Sequence, residues 1–369
     1  MKIAGMIGTD GGVSFAAEGF HNALGRVGEN TGNTLFQRAM WNLVKGPKVS
    51  AGPGVLPPET LRQVANILVI PAANQINPHF KMDAWADYIE AADLPCLVVG
   101  LGAQSDDPSL PPEALILPEA VARFARIISE RSQVIGVRGE FTKRVLASLG
   151  VNNTVITGCP SQTLNLRVTG DQIARNLDRA RSNDDLAVAI LGGTLQEYTR
   201  GVERTLYSAV KGIRNHICVY QTEPRILRFL HERHVDDDTR AFVTWMNAVV
   251  RPDLRIEQFF HYLVTQGRVY SDARSWIDAM RRMDVTIGMR IHGAVAAIQA
   301  GRLGICIAFD SRTLELARTM GVPYIIAHEV KEGQSLKELL GIVHFEAADF
   351  DEKRKHNVAA IMDIVSAVN

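Results

Sequence analysis

Around Val285–Gly301 a short apolar stretch runs into Arg290 and His292, and Gly293 then opens a run of small residues with helical character. Arg290 and His292 are thereby expected at the carboxyl end of a strand, beside the N-terminus of a helix. Such a place offers unpaired backbone N–H groups to an anion. Arginine adds a permanent planar charge that can fork onto a carboxylate or phosphate. Histidine adds a proton that can be exchanged near neutral pH. The structural alternative is an arginine paired with a nearby carboxylate, since an unpaired buried charge costs several kcal/mol.

Asp310 and Glu315, in the charged turn Phe309–Glu315, follow the next apolar run and are the carboxylates within reach. Either is a candidate base or a group that binds a sugar hydroxyl. The turn reads equally well as a helix start, with Asp310 or Ser311 as cap and Arg312 paired to a carboxylate. The first half of the chain repeats the design: Val137 and Arg138 close a strand-like run, and Glu140 opens a helix. Arg138 is expected to face the same ligand from the opposite wall; the alternative is a surface pair with Glu140. The polar loop Glu29–Asn33, and the strand-ending stretches holding Gln104 and Ser161, add candidate contacts at Asn33, Gln104 and Ser161. Ser105 and Ser161 lack a nucleophile-elbow pattern. The histidines show no metal-binding spacing, so no metal site is expected.

Apolar runs that suit strands alternate with periodic stretches that suit helices. Strands are expected at Ile67–Pro71, Cys96–Gly102, Gln133–Arg138 and Thr154–Thr157. A second series follows near Leu186–Leu191, His216–Tyr220, Arg268–Tyr270, Asp284–Gly288, Leu303–Phe309 and Pro323–Ile326. Helices are expected at Thr34–Val44 (with Asn33 as cap), Asp83–Ala92, Pro118–Arg131 and Glu140–Leu149. Gly150 is placed for a left-handed cap. Two alternating blocks imply an α/β protein with two parallel-sheet, Rossmann-like domains facing a cleft. Residues 1–165 form the first domain, a polar stretch at 166–185 the linker, 186–349 the second domain, and an amphipathic helix occupies 350–369.

Forty basic residues balance forty acidic ones. No global field therefore recruits nucleic acid or an anionic membrane, and any anion must be held by local arginines. The four cysteines are scattered and read as buried thiols. No apolar run reaches the ~18 residues of a membrane span, and the N-terminus is too quickly polar for a signal peptide. A cytoplasmic protein is expected.

Four stretches in this order resemble the polysaccharide pyruvyl transferase family: Asn30–Asn33; Val137–Thr142 with Thr157–Ser161; Ile287–Gly293; and Ala300–Gly301 through Asp310–Glu315 to Gly321–Pro323. The Gly-x-Arg-x-His-Gly segment followed by Ala-Gly is the most specific. One departure is Thr34, where many members carry an acidic residue. The resemblance implies a glycosyltransferase-B-like arrangement and transfer of a pyruvyl group from phosphoenolpyruvate to two hydroxyls of a sugar, as a ketal. It puts Arg290 and Gly293 at the donor anion and makes His292 the acid. Phosphoenolpyruvate enters as co-substrate, with no cofactor. The acceptor is a polysaccharide or its lipid-linked precursor, which can bring a protein without a transmembrane segment to a membrane surface.

The chemistry is consistent with these residues. Two anionic groups on the donor need at least two cations, which Arg138 and Arg290 supply. A histidinium among anions keeps a raised pKa and can protonate the methylene carbon. Asp310, Glu315 or Glu140 can deprotonate the sugar. The rivals are a B-type glycosyltransferase using a nucleotide sugar and a non-catalytic glycan-binding protein on the same scaffold.

Overall fold

The computed structural model describes residues 3–105, 110–193 and 195–366. Its first sheet contains β1 (Ala4–Ile7), β2 (Lys48–Ala51), β3 (Ile67–Pro71), β4 (Cys96–Leu101), β5 (Ile135–Val137) and β6 (Thr154–Ile156). Their spatial order is β2-β1-β3-β4-β5-β6, and every pairing is parallel. The second sheet contains β7 (Val188–Leu191), β8 (His216–Val219), β9 (Gly267–Arg268), β10 (Val285–Gly288), β11 (Leu303–Ala308) and β12 (Tyr324–Ile326). Its order is β12-β11-β10-β7-β8-β9, again all parallel. The chain is thus an α/β protein with two Rossmann-like parallel sheets.

The strands are apolar on both faces because helices cover both sides. Leu303–Ala308 and Cys96–Leu101 are buried throughout. β1 and β2 escape a reading by hydropathy: β2, Lys-Val-Ser-Ala, is an edge strand with three of its four residues partly or fully exposed. The helix expected at 34–44 spans Asn33–Leu43, with Gly32 in the cap position. Asn33 is not that cap. Its amide NH2 donates to Val27 O at 2.9 Å, so the side chain secures the preceding loop. Gly150 has φ 82°, in the left-handed region that ends the preceding helix cheaply.

The polar stretch expected as a connector contains the helix Gly170–Ser182, capped by the Thr169 hydroxyl, with Ile173, Leu177 and Ala180 buried. The terminal helix Ala347–Ser366 begins three residues earlier than expected; residues 367–369 of that expectation lie outside the described residues. It returns to the first sheet, where Ile361, Ile364 and Val365 pack with Met6, Val69, Leu97 and Val99. Arg354 on the same helix is buried and donates to the carbonyls of Val168 (2.6 Å), Gln162 (3.2 Å) and Asn165. One side chain thereby satisfies three carbonyls of the chain that joins the two sheets.

The carboxyl edges of the two sheets face each other. Ser311 Oγ donates to Ser105 O at 3.2 Å and accepts from Ser105 N at 3.1 Å. Thr31 N donates to Gln221 O at 3.0 Å. Glu315 reaches from the second sheet to Thr142 beside the first. Among the described residues, no helix is long and apolar enough to cross a membrane.

Candidate functional site

Three strand ends near this interface, those of β5, β10 and β11, deliver a basic side chain. After β5, Arg138 continues the sheet through its own N–H, which donates to Leu101 O at 2.8 Å. Its side chain is 1% exposed and its Nε donates to Gly100 O at 2.9 Å. One terminal nitrogen, Nη2, is buried without a partner. Glu140 is exposed at the start of the following helix, so the surface pairing of Arg138 with Glu140 is overturned.

After β10, Arg290 takes the cap position of the helix Ile291–Gln299 in an extended conformation. Its Nη2 donates to Gly193 O at 3.0 Å and to Thr222 Oγ1 at 2.7 Å, and its Nε is buried without a partner. Gly193 follows β7 and Thr222 follows β8. Arg290 therefore stands at the crevice between β7 and β10, where the strand order of the second sheet reverses and α/β proteins bind ligands.

After β11, Arg312 contributes a third guanidinium. Its Nη2 lies 3.5 Å from Asp310 Oδ2, and its Nε is buried without a partner. Sequence reasoning placed Arg312 only in a carboxylate pair, although it stands at a strand end as Arg138 and Arg290 do. That repeated placement was the signal available.

His292 lies in the first turn of the Ile291–Gln299 helix and is 6% exposed. Its Nε2 is 3.8 Å from Cys159 Sγ, and its ring is 5.5 Å from that of Phe36. Ser161, fully buried, donates its hydroxyl to Cys159 Sγ at 3.0 Å, so Ser161 supports the thiol instead of lining open space. Cys159 was seen in the sequence only as a core thiol.

Burial, then the charges of Arg138 and Arg312, hold the His292 imidazole well below its ordinary value. Without an anion beside it the ring is neutral, and the raised value expected for His292 among anionic groups depends on the donor. Burial and the neighbouring Arg312 push Arg290 down to about 10, which still leaves it charged at neutral pH. Burial also brings Arg138 to about 10, with Cys159 acting against it and Arg312 adding to it. Arg312 therefore disfavours the charge of both Arg138 and Arg290, and each of the three keeps a buried N–H unused. A small polyanion would relieve both conditions at once.

The carboxylates are more committed. Asp310 is 2% exposed and caps the helix Ser311–Met320. Its Oδ1 accepts from Thr313 N at 2.7 Å and from Thr313 Oγ1 at 2.6 Å. Glu315 accepts from Thr142 N and from Thr142 Oγ1, both at 2.8 Å. Burial raises Glu315 to about 7 against the lowering effect of these bonds. A carboxyl whose folded value exceeds its unfolded one favours folding fully at low pH. That contribution is lost as pH rises from about 4.5 through about 7. The urea midpoint of the wild type should accordingly drop between pH 5 and pH 8, and Glu315→Gln should remove much of that slope.

Gly293 serves packing. A Cβ there would sit 2.4 Å from Leu191 Cδ2, because the helix runs close against β7. Gly293→Ala should lower stability by about 1–3 kcal/mol through overpacking, read from chemical unfolding. Gln104 accepts from Asn74 Nδ2 at 2.6 Å and from Asn77 Nδ2 at 3.1 Å, which ties two loops of the first sheet together. No group of His, Cys, Asp and Glu that could hold a metal occurs among the described residues.

Fold and site together define an α/β protein with two Rossmann-like sheets and three arginines gathered near a buried histidine. The model of one family, described as polysaccharide pyruvyl transferase, matches residues 30–311, and the chain belongs to that family. The match takes in Asn33, Arg138, His292 and Asp310 and stops just short of Arg312. A search of curated proteins gave no match.

Among solved structures, Anabaena HepE in complex with UDP is 10% identical over 100% of this chain and 94% of its own, with a TM-score of 0.42. S. aureus MnaA with UDP is 9% identical over 99% and 91%, at 0.41. A glycosyltransferase from Rickettsia africae is 9% identical over 98% and 95%, at 0.40. Likeness at this level carries no argument about function.

Proposed function

We propose that this chain transfers the pyruvyl group of phosphoenolpyruvate to two hydroxyls of one sugar, forming a ketal and releasing phosphate. The observation that carries the reading is the set of unused guanidinium N–H groups on Arg138, Arg290 and Arg312 around His292. Phosphoenolpyruvate brings a carboxylate and a phosphate, enough negative charge to match that set.

Arrival of the donor reverses the electrostatics at His292. Charges that lower its pKa become paired, and the added anion favours the imidazolium. The protonated ring then gives its proton to the methylene carbon, which leaves C2 electron-poor. One hydroxyl adds to C2, the C2–O bond to phosphate breaks, and the second hydroxyl forms the second C–O bond. Of the two hydroxyl protons, one makes good the proton now on the methyl carbon and the other leaves with phosphate. Asp310 and Glu315 are both occupied as cap and interdomain latch, so the departing phosphate is assigned as base for the second hydroxyl. The acceptor is a polysaccharide or its lipid-linked precursor, in keeping with the family.

Incubation with phosphoenolpyruvate and a panel of glycosides, followed by mass spectrometry, tests the reading. A product heavier by pyruvate less one water, formed with equimolar inorganic phosphate, is expected. Transfer of a sugar from UDP-sugars, with no such product from phosphoenolpyruvate, would overturn it.

A further inference from the structure

The first sheet has its own reversal of strand order, between β1 and β3, and a cavity of about 710 Å³ opens at the carboxyl ends of β1, β2 and β3. Its position is the first-sheet counterpart of the Arg290 crevice, and its volume falls within the ~300–1,000 Å³ typical of ligand pockets. Phe36 lines it and is also the ring that meets His292 at 5.5 Å. The cavity therefore adjoins the proposed acid without overlapping the three arginines.

Its lining is mostly uncharged. Arg26 is ion-paired to Glu18 at 2.5 Å, and among the described residues no lysine, aspartate or glutamate lines the space. Besides Arg26, His21 is the titratable group among the described lining residues. A nucleoside diphosphate or a uronate would find no uncommitted permanent cation here.

What the lining does offer is a set of oriented amides. Gln37 is buried, and its Oε1 accepts from Thr9 N (3.1 Å) and Thr9 Oγ1 (2.6 Å), which leaves its NH2 to donate. Gln75 Oε1 accepts from Ala73 N at 2.6 Å, which leaves a second NH2. Asn33 gives its NH2 to Val27 O and keeps an oxygen to accept. Internal bonds orient each amide, two at Gln37 and one each at Gln75 and Asn33, so the free ends form a fixed pattern of two donor groups and one acceptor. Gly8 permits the closest approach: at φ 93°, a Cβ there would lie 2.9 Å from the Gln37 amide. Trp85 and Phe36 supply aromatic surface.

We infer that this cavity is the acceptor subsite and that it takes an uncharged pyranose, held by the Gln37, Gln75 and Asn33 amides against Trp85 and Phe36. The assignment rests on the reading above for the donor, while the pocket's preference for neutral sugars stands on its own lining.

Two variants test it. Gly25 lines the cavity in a helix, and a Cβ there would meet only Glu29 Oε1, at 3.7 Å, so Gly25→Phe fills the space without backbone strain. Gln75→Glu keeps the bond from Ala73 N but removes the donor. Saturation-transfer NMR would use methyl glycosides of glucose, galactose, mannose and N-acetylglucosamine, with methyl glucuronide and UDP as charged probes. Thermal shift with phosphoenolpyruvate runs in parallel.

Wild type should bind at least one neutral glycoside and neither charged probe. Both variants should weaken that binding by about tenfold or more while the phosphoenolpyruvate shift persists. No neutral binding, preference for a charged probe, or binding indifferent to both substitutions would overturn the inference. Sugar binding lost as expected, but with no phosphoenolpyruvate shift even in wild type, would instead sink the donor assignment and leave the pocket standing.

Discussion

His292→Gln should lower ketal formation by about 10²–10⁴-fold, the usual contribution of a positioned proton donor, while phosphoenolpyruvate still binds. Glutamine is close in size, fits beside Phe36 and retains a polar contact for the Cys159 thiol, so the helix Ile291–Gln299 should be undisturbed. The loss should therefore fall on kcat, with the half-saturating donor concentration little changed. A defect confined to KM, or parallel loss of stability, would assign His292 to donor binding or to packing.

Arg312→Gln should have two effects with different signatures. Removing a cation from the donor cradle should reduce kcat/KM for phosphoenolpyruvate by roughly 10²–10³, the range seen when one preorganised donor to a developing charge is lost. Removing the same charge should also raise the His292 pKa, because Arg312 is among the causes that hold it down. An acid of higher pKa stays protonated to higher pH. The alkaline limb of the kcat profile should then move upward even as the overall rate falls. A purely structural Arg312, serving Asp310 as a partner, would alter stability and leave that limb in place.

Much of this arrangement was legible in the sequence because strand ends in parallel sheets converge. Arg138, Arg290 and His292 each follow an apolar run and precede a helix, and that pattern alone puts a side chain at the carboxyl edge. Arg312 shares the pattern and was read only as the partner of a carboxylate; it does meet Asp310, while the fold shows that its Nε stays unpartnered and that Glu315 is given over to Thr142. The lowering of the His292 pKa by Arg138 and Arg312 was not legible, because flanking arginines from two domains cannot be counted without the fold. β2 was missed because an exposed edge strand has no apolar run to betray it. The polar stretch before residue 185, read as a boundary that is helical in part, holds a helix whose buried residues are Gly170, Ile173, Leu177 and Ala180. The cavity at β1 and β3 left almost no trace, since its walls are glycines and amides drawn from loops far apart in the chain.

The measurement that bears most directly on the cationic cradle is calorimetric titration of phosphoenolpyruvate at one pH near neutrality, in two buffers of different ionisation enthalpy. One saturable site is predicted, with net proton uptake as the neutral imidazole becomes charged and an uptake diminished in His292→Gln. Absence of binding, or binding that survives replacement of Arg138, Arg290 and Arg312 by glutamine, would contradict the account.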